Sequence, residues 1–193
     1  AGDHCKAASD LGVPLVGVGL LYRSGYFRQT VDADGFQQHT YPDYDFARLP
    51  VQPVQAPGGG MLTVPIDLPG RVVHAAVWKV QVGLVPVLML DTDIPLNDPA
   101  DRPITGTLYV RGREMRLCQE IVHGIGGVRA LRALGIHPAV WHMNEGHVAF
   151  LALERARERV RMGDSLAEAL AVVKGMTVFT THTPVPAGNE TYT

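Results

Sequence analysis

The sequence predicts an α/β fold, a doubly wound sheet carrying an added β excursion. Two short runs near the C-terminal end point to it. Pro138-Ala139-Val140-Trp141 breaks into His142-Met143-Asn144-Glu145-Gly146-His147, and Thr177-Val178-Phe179 breaks into Thr180-Thr181-His182-Thr183-Pro184. Each is a strand that ends in polar residues, and helical sequence lies between them. Sites of doubly wound sheets sit at the carboxyl ends of their strands. The third observation is the order of elements along the chain: helix, strand, a β-rich stretch, strand, helix, strand, two helices and a last strand.

Ala1 to Leu11 has the character of a helix interior, and Gly12 supplies its stop. Val13 to Leu21 is a continuous apolar run, the pattern of a strand buried on both faces. Its Gly17 and Gly19 would let another backbone approach. Asp34-Gly35 between Phe27–Val31 and Phe36–Gln38 predicts a hairpin. Tyr41 to Gly60 is rich in Pro, Asp and Gly and reads as an extended connection. Strands are expected over Met61–Ile66 and Arg71–Val82, joined by Pro69-Gly70, and over Leu84–Leu90. The last of these ends in Asp91-Thr92-Asp93, and Ile94 to Thr107 follows as a loop. Leu117, Ile121, Ile125, Val128, Leu131 and Leu134 recur at helical spacing from Glu114 onward, with Gly135 as the stop. A second helix is expected over His147–Arg161. It would turn Phe150, Leu151 and Leu153 inward, and Glu154, Arg155, Arg157, Glu158 and Arg159 outward. Asp164 or Ser165 can cap a third helix running to Lys174, with Glu168 at capping-box spacing from Ser165.

With 193 residues the chain can bury a substantial core. Hydrophobic residues make up 46% and charged residues 19%, ordinary for a globular α/β protein. The net charge of −2 lacks the basic excess of a nucleic-acid or anionic-membrane binder. A small-molecule or neutral-polymer ligand is expected instead. Cys5 and Cys118 are too few for a disulfide scaffold, and a reducing, cytoplasmic setting is the expectation. No apolar stretch reaches the ~20 residues that span a bilayer. The chain starts at Ala1 inside a helix and ends in a loop from Pro186 to Thr193, so a piece of a longer protein is expected.

The first candidate site is His142 to His147. Its imidazoles and carboxylate are directional partners for sugar hydroxyls. The alternative is a helix start capped by Asn144, with Glu145 favoured by the helix dipole. His142 and His147 are poorly spaced for a metal on one helix face. His182, at a strand tip beside Pro184, is the second candidate, with a structural histidine as the alternative. Gly124-Ile125-Gly126-Gly127 lies within a predicted helix, not after a strand. It therefore reads as small residues for tight helix packing rather than a dinucleotide fingerprint. His39, His74, His123 and His137 read as surface or packing residues. Asp91 and Asp93 suit a turn better than a paired-carboxylate site. Cys5 and Cys118 have no paired base nearby in sequence, so neither is expected to be a nucleophile.

Taken together the motifs resemble a known family. They are Gly2-Asp3-His4-Cys5-Lys6-Ala7-Ala8-Ser9-Asp10-Leu11-Gly12, Val16-Gly17-Val18-Gly19-Leu20-Leu21-Tyr22, Gly25-Tyr26-Phe27-Arg28-Gln29 and Leu88-Met89-Leu90-Asp91-Thr92-Asp93. Further along come Arg116-Leu117-Cys118-Gln119-Glu120, Gly124-Ile125-Gly126-Gly127-Val128-Arg129, Asn144-Glu145-Gly146-His147 and Thr180-Thr181-His182-Thr183-Pro184-Val185-Pro186-Ala187-Gly188. In this order they resemble the α-glucan phosphorylases, in particular the short bacterial and archaeal branch of the glycogen phosphorylase family.

The resemblance implies a two-domain glycosyltransferase (GT-B) fold with two Rossmann-like domains and a cleft between them. It implies phosphorolysis of a terminal α-1,4 bond with retention, releasing glucose 1-phosphate. The implied cofactor is pyridoxal phosphate, held by a lysine of a C-terminal domain, and the implied partners are an α-1,4-glucan or maltodextrin and phosphate. Residues 1–193 would then be the middle of the N-terminal domain. His182 matches the catalytic histidine beside the donor glucose. Glu145 and His147, with Asn144, match the residues lining the glucan subsite.

The Gly-rich loop expected before Ala1 and the pyridoxal domain are not in the chain. Tyr109-Val110-Arg111-Gly112-Arg113 departs from the Gly-Gly-Asp turn expected there. The isolated piece is expected to be inactive and, with apolar surface exposed, to self-associate. The alternatives are a sugar-nucleotide glycosyltransferase of the glycogen or starch synthase type, and a non-catalytic carbohydrate-binding fragment.

Overall fold

In a computed structural model, which describes residues 2–42, 44–108, 110 and 112–185, the chain divides into two units. One is drawn from residues up to Thr63 and from Val73 to Val110, the other from Val64–Val72 and from Gly112 onward. Among the described residues no helix is long and apolar enough to cross a membrane. Tyr109 and Arg111 of the departing turn, and the Pro186-Ala187-Gly188 end of the last motif, lie outside the described residues.

In the first unit, helix α1 (Gly2–Asp10) ends where expected, with Gly12 at φ +65°. Strand β1 is only Gly17–Leu20, and its residues before Leu20 are half-buried rather than enclosed on both faces. It pairs parallel with β7 in the register Gly17↔Val87 to Leu20↔Leu90. A Cβ at Gly17 would lie 3.2 Å from the Val87 side chain, and one at Gly19 3.3 Å from the Met89 sulfur. The glycines thus admit neighbouring side chains rather than another backbone.

The Asp34-Gly35 hairpin forms between β2 (Arg28–Val31) and β3 (Gln37–Thr40). Asp32 accepts the N–H groups of Asp34 and Phe36 to tighten it. Strand β4 (Val51–Pro53) was hidden in the Pro-rich connection. It is antiparallel to β6 and lies at the end of the strand order, the edge position a proline tolerates. Strand β5 (Thr63–Leu68), which belongs to the second unit from Val64 on, alternates strictly, burying Val64, Ile66 and Leu68, and turns at Pro69-Gly70 into β6. Strands β6 (Arg71–Val82) and β7 (Val85–Asp91) form a long antiparallel ladder. Val73, Ala75, Ala76, Val77, Leu88 and Leu90 give the first unit its core. The strand order β1-β7-β6-β4 puts the predicted β excursion beside a parallel pair.

In the second unit, the helical spacing from Glu114 becomes α2 (Arg113–Ile121), a π-helical segment (Val122–Gly126) and α3 (Gly127–Ala133), one continuous helical run. Gly135 stops it at φ +69°. Strands β8 (Trp141–Asn144) and β9 (Thr177–Thr180) pair in parallel, from Trp141↔Thr177 to Asn144↔Thr180. Strand β8 therefore starts later than the apolar run suggests and takes in His142, Met143 and Asn144. Between the strands run α4 (Phe150–Arg161) and α5 (Leu166–Gly175). The predicted capping box holds: Ser165 Oγ accepts from the Glu168 N–H at 3.3 Å, and Glu168 accepts from the Ser165 N–H at 2.9 Å.

The faces of α4 differ from the expectation. Leu153 is exposed, while Glu154 and Arg155 are buried. Each has a partner that sequence spacing does not reveal. The Arg155 guanidinium lies 4.8 Å from the Trp141 ring centroid and donates to the Thr177 hydroxyl at 3.0 Å. The Glu154 carboxylate accepts from Arg129 at 2.8 Å and from Arg157 at 2.6 and 2.7 Å. Arg129 also reaches the Pro65 carbonyl and Asp67, so the network ties α3 and α4 to β5.

Burial alone would raise the Glu154 carboxyl above its ordinary value. The bonds from Arg157 and Arg129 outweigh it and hold the group below. A depressed carboxyl contributes stability that is full above its unfolded value, 4.5, and is lost as pH falls through the folded value. Glu154→Gln is therefore expected to cost about 2 kcal/mol at pH 7, as charge-assisted bonds go to half-exposed arginines. The gap between wild type and variant should narrow as pH falls below 4.5. Urea midpoints across that range check it, and a gap independent of pH would remove the ionic account.

Candidate functional site

Strands β8 and β9 end side by side, and the predicted residues lie just past their last pair, Asn144↔Thr180. The chain leaves β8 through Glu145, whose backbone sits at φ +66°, ψ 175°. It is the one non-glycine with positive φ among the described residues. That region of backbone space is essentially glycine's own, and side chains held there are costly and concentrate at functional sites. The helix-cap alternative for this corner is not what forms. Asn144 belongs to β8, and neither the short 3₁₀ turn Gly146–Val148 nor α4 has a side-chain cap bond at its start.

The corner is closed by bonds across the two strand ends. The Glu145 N–H donates to the Thr180 carbonyl at 2.8 Å. Glu145 Oε1 accepts from the His182 N–H at 2.9 Å and from the Thr183 hydroxyl at 2.8 Å. The His182 ring brings Nε2 within 3.2 Å of Asn144 Oδ1 and 3.4 Å of Glu145 Oε1. His142 Nε2 meets the Thr180 hydroxyl at 2.7 Å. The bond from the His182 N–H, then that from Thr183, hold the Glu145 carboxyl below its ordinary value against the opposing effect of burial. It is a carboxylate at neutral pH.

His147 sits half-buried at the start of the following turn and stacks on His123 with centroids 5.7 Å apart. Burial pushes its imidazole below the ordinary 6.5, the Arg116 charge adds to this, and Glu145 opposes it. His147 is therefore a neutral ring near pH 7, suited to exchange hydrogen bonds with neutral hydroxyls. His182 offers a different surface. Its side chain is 62% exposed, and its Nε2 is engaged by acceptors of its own chain. A carboxylate and an amide oxygen beside Nε2 favour the tautomer with the proton on that nitrogen, which leaves Nδ1 the acceptor.

The strand end in the first unit makes a turn. Asp91 Oδ1 accepts the Asp93 N–H at 2.9 Å, and Arg23 spans both carboxylates at 3.0 and 2.8 Å. The Arg23 guanidinium lies 4.7 Å from the Phe46 ring centroid. Burial raises the Asp91 carboxyl, with the Asp93 N–H and Arg23 working against it. The buried Asn97 amide shapes the loop that follows, donating to the His74 and Thr92 carbonyls and accepting the His74 N–H.

Asn144, Glu145 and His182 are thus brought together, with His147 one turn further on. Among the described residues no group of His, Cys, Asp and Glu is arranged to hold a metal ion. His123 and Arg116, which condition His147, went unmarked as site residues in the sequence. Their signal would have been helical phase, since Arg116, His123 and Gly127 share a face of the α2–α3 run. The backbone of Glu145 had no signal at all, because the neighbouring glycine is Gly146.

No family model matches the sequence. Curated relatives match it end to end. The maltodextrin phosphorylase of Thermococcus litoralis is 48% identical over 192 residues, all of this chain and 23% of the relative. The glycogen phosphorylase of Mycobacterium tuberculosis is 51% identical over 199 residues, again all of the chain and 23% of the relative. That of Aquifex aeolicus is 36% identical, over 28% of its own length. The chain thus spans about a quarter of these relatives. Among solved structures, the catalytic domain of starch synthase IV from Arabidopsis thaliana aligns with 67% of the chain and 22% of its own. The TM-score is 0.42 and the identity 12%, too slight a likeness to assign a fold.

Proposed function

We propose that this chain, homologous along its whole length to one segment of the glycogen and maltodextrin phosphorylases, supplies donor-glucose and glucan contacts for α-1,4-glucan phosphorolysis. In this reading it forms the middle of the N-terminal domain of a retaining enzyme that transfers glucose to phosphate and releases glucose 1-phosphate. The observation that carries the reading is an overall identity near one half in matches that cover the whole chain.

The corner between β8 and β9 suits the role. His182, exposed and tethered through its backbone and Nε2, offers Nδ1 to a hydroxyl of the donor glucose. Asn144 and the neutral His147 border the glucan on the other side of the bond that breaks. The work of these groups is to hold a neutral polyol in one pose while positive charge develops at its anomeric carbon. A rigid corner favours that pose because little ordering remains to be done on binding.

A pyridoxal phosphate requires an enclosed lysine. The lysines of this chain, Lys6, Lys79 and Lys174, are all exposed, so its described residues do not fit the cofactor. In this reading the cofactor is held by a part of the protein outside this chain. The test is the full-length protein with maltodextrin and phosphate, with glucose 1-phosphate assayed with and without pyridoxal phosphate. Cofactor-dependent product is the expected result. Glucan extension from a sugar nucleotide without phosphorolysis would move the reading to a synthase. Glucan binding with neither reaction would leave a non-catalytic carbohydrate-binding role.

A further inference from the structure

Within that reading, we propose that Glu145 is a positioning residue for His182, its carboxylate holding the Thr181–Thr183 tip in place of making the glucan contact expected of it. Three observations converge. First, the backbone at Glu145 is held at φ +66°, ψ 175°, a conformation that persists only where surrounding structure over-determines it. Second, three hydrogen bonds over-determine it. Its N–H is bonded to the Thr180 carbonyl at 2.8 Å, and its Oε1 accepts both the His182 N–H at 2.9 Å and the Thr183 hydroxyl at 2.8 Å. Third, the Glu145 side chain is 11% exposed whereas that of His182 is 62% exposed. Oε1 of the carboxylate is engaged by its own chain, and the imidazole is the more exposed group, the one left for a ligand.

The chemistry explains why a carboxylate serves there. One anionic oxygen can accept a backbone N–H and a hydroxyl together, both charge-assisted. It also lies 3.4 Å from His182 Nε2, which Asn144 Oδ1 approaches at 3.2 Å. Main chain and ring of His182 are therefore fixed from the same side. Losing the carboxylate would free the tip, and a displacement of about 1 Å in a group that poses the substrate costs roughly a hundredfold in rate.

The experiment compares Glu145→Ala and Glu145→Gln in the full-length protein. It reads kcat and the KM for maltodextrin in phosphorolysis, and deuterium exchange of peptides covering residues 178–185. Glu145→Ala is expected to lower kcat roughly a hundredfold with KM within about twofold. The amides of the tip should exchange at least about tenfold faster, as a protecting bond is lost. Glu145→Gln keeps an oxygen that can accept both bonds, and should return kcat to within about tenfold of wild type and restore protection. A rise in KM of about tenfold or more in both variants, with kcat kept and exchange unchanged, would overturn the proposal in favour of a direct glucan contact. If Glu145→Ala exchanges fast throughout the protein, the Gln variant decides: protection kept with KM raised overturns the proposal, and kcat and KM near wild type uphold it. If wild type yields no glucose 1-phosphate, the functional reading falls on that result alone. Exchange at the tip then still decides whether Glu145 holds His182.

Discussion

Under the proposed function, replacing His182 with alanine in the full-length protein is expected to lower kcat for phosphorolysis about a thousandfold, the scale of losing a preorganised polar group at a reacting centre. The expectation rests on how the ring is held. The backbone N–H of His182 is anchored to Glu145 Oε1 at 2.9 Å, and the ring Nε2 lies 3.2 Å from Asn144 Oδ1, yet most of the side chain is exposed. An exposed imidazole ordinarily samples several rotamers, and restricting it has an entropic cost. A structure that meets this cost before a ligand arrives gains in the pose it offers. The loss should fall on kcat more than on the KM for glucan, because the pose matters most as charge develops at the anomeric carbon. Glu145→Ala added to His182→Ala should cost little more, since residues acting through one another are not additive. Steady-state kinetics of the two single variants and the double variant check both points. Full additivity would mean that Glu145 and His182 act separately.

The parts of this fold legible in the sequence are those governed by neighbours along the chain. Strand β6 runs from Arg71 to Val82 as expected, because alternation and flanking turns are local signals. The Ser165–Glu168 capping box and the Asp34-Gly35 hairpin were readable for the same reason. What the sequence hid depends on partners distant along the chain. Glu154 and Arg155 belong on a solvated face by residue type, but Arg129 and Trp141 make their burial tolerable. Strand β4 was concealed by Pro53, which an edge position accommodates. At the candidate site, residue types and strand ends were enough to mark Asn144, Glu145, His147 and His182. They could not tell which of these bonds to its own chain. Glu145 turns onto its own chain because of one backbone torsion, and no residue type announces that.

Gly124→Ala shows how the packing beneath the corner and the corner itself are linked. A Cβ at Gly124 would lie 2.6 Å from the Leu151 nitrogen, 2.8 Å from Phe150 Cβ and 2.9 Å from the Phe150 carbonyl carbon. Carbon atoms settle at about 3.5–4.0 Å from their neighbours, so the π-helical segment and the start of α4 must part by about 1 Å. Much of the obstruction is backbone, which cannot rotate away. The expected destabilisation is about 3 kcal/mol, at the upper end for overpacking. The parting would occur next to the site, because Phe150 opens α4 a few residues after Glu145, and His123, beside Gly124, stacks on His147. A loss of activity beyond the fraction unfolded is therefore expected, and the conditioning of His147 should change with it. Gly175→Ala is the control. It lies at the end of α5, where an added Cβ meets nothing within 4 Å, and should be neutral or stabilising by up to about 1 kcal/mol. Denaturant midpoints and kcat for the two variants decide the matter. Equal stability of the two would mean that the helices yield at no cost and that the close approach at Gly124 is not what sets the corner.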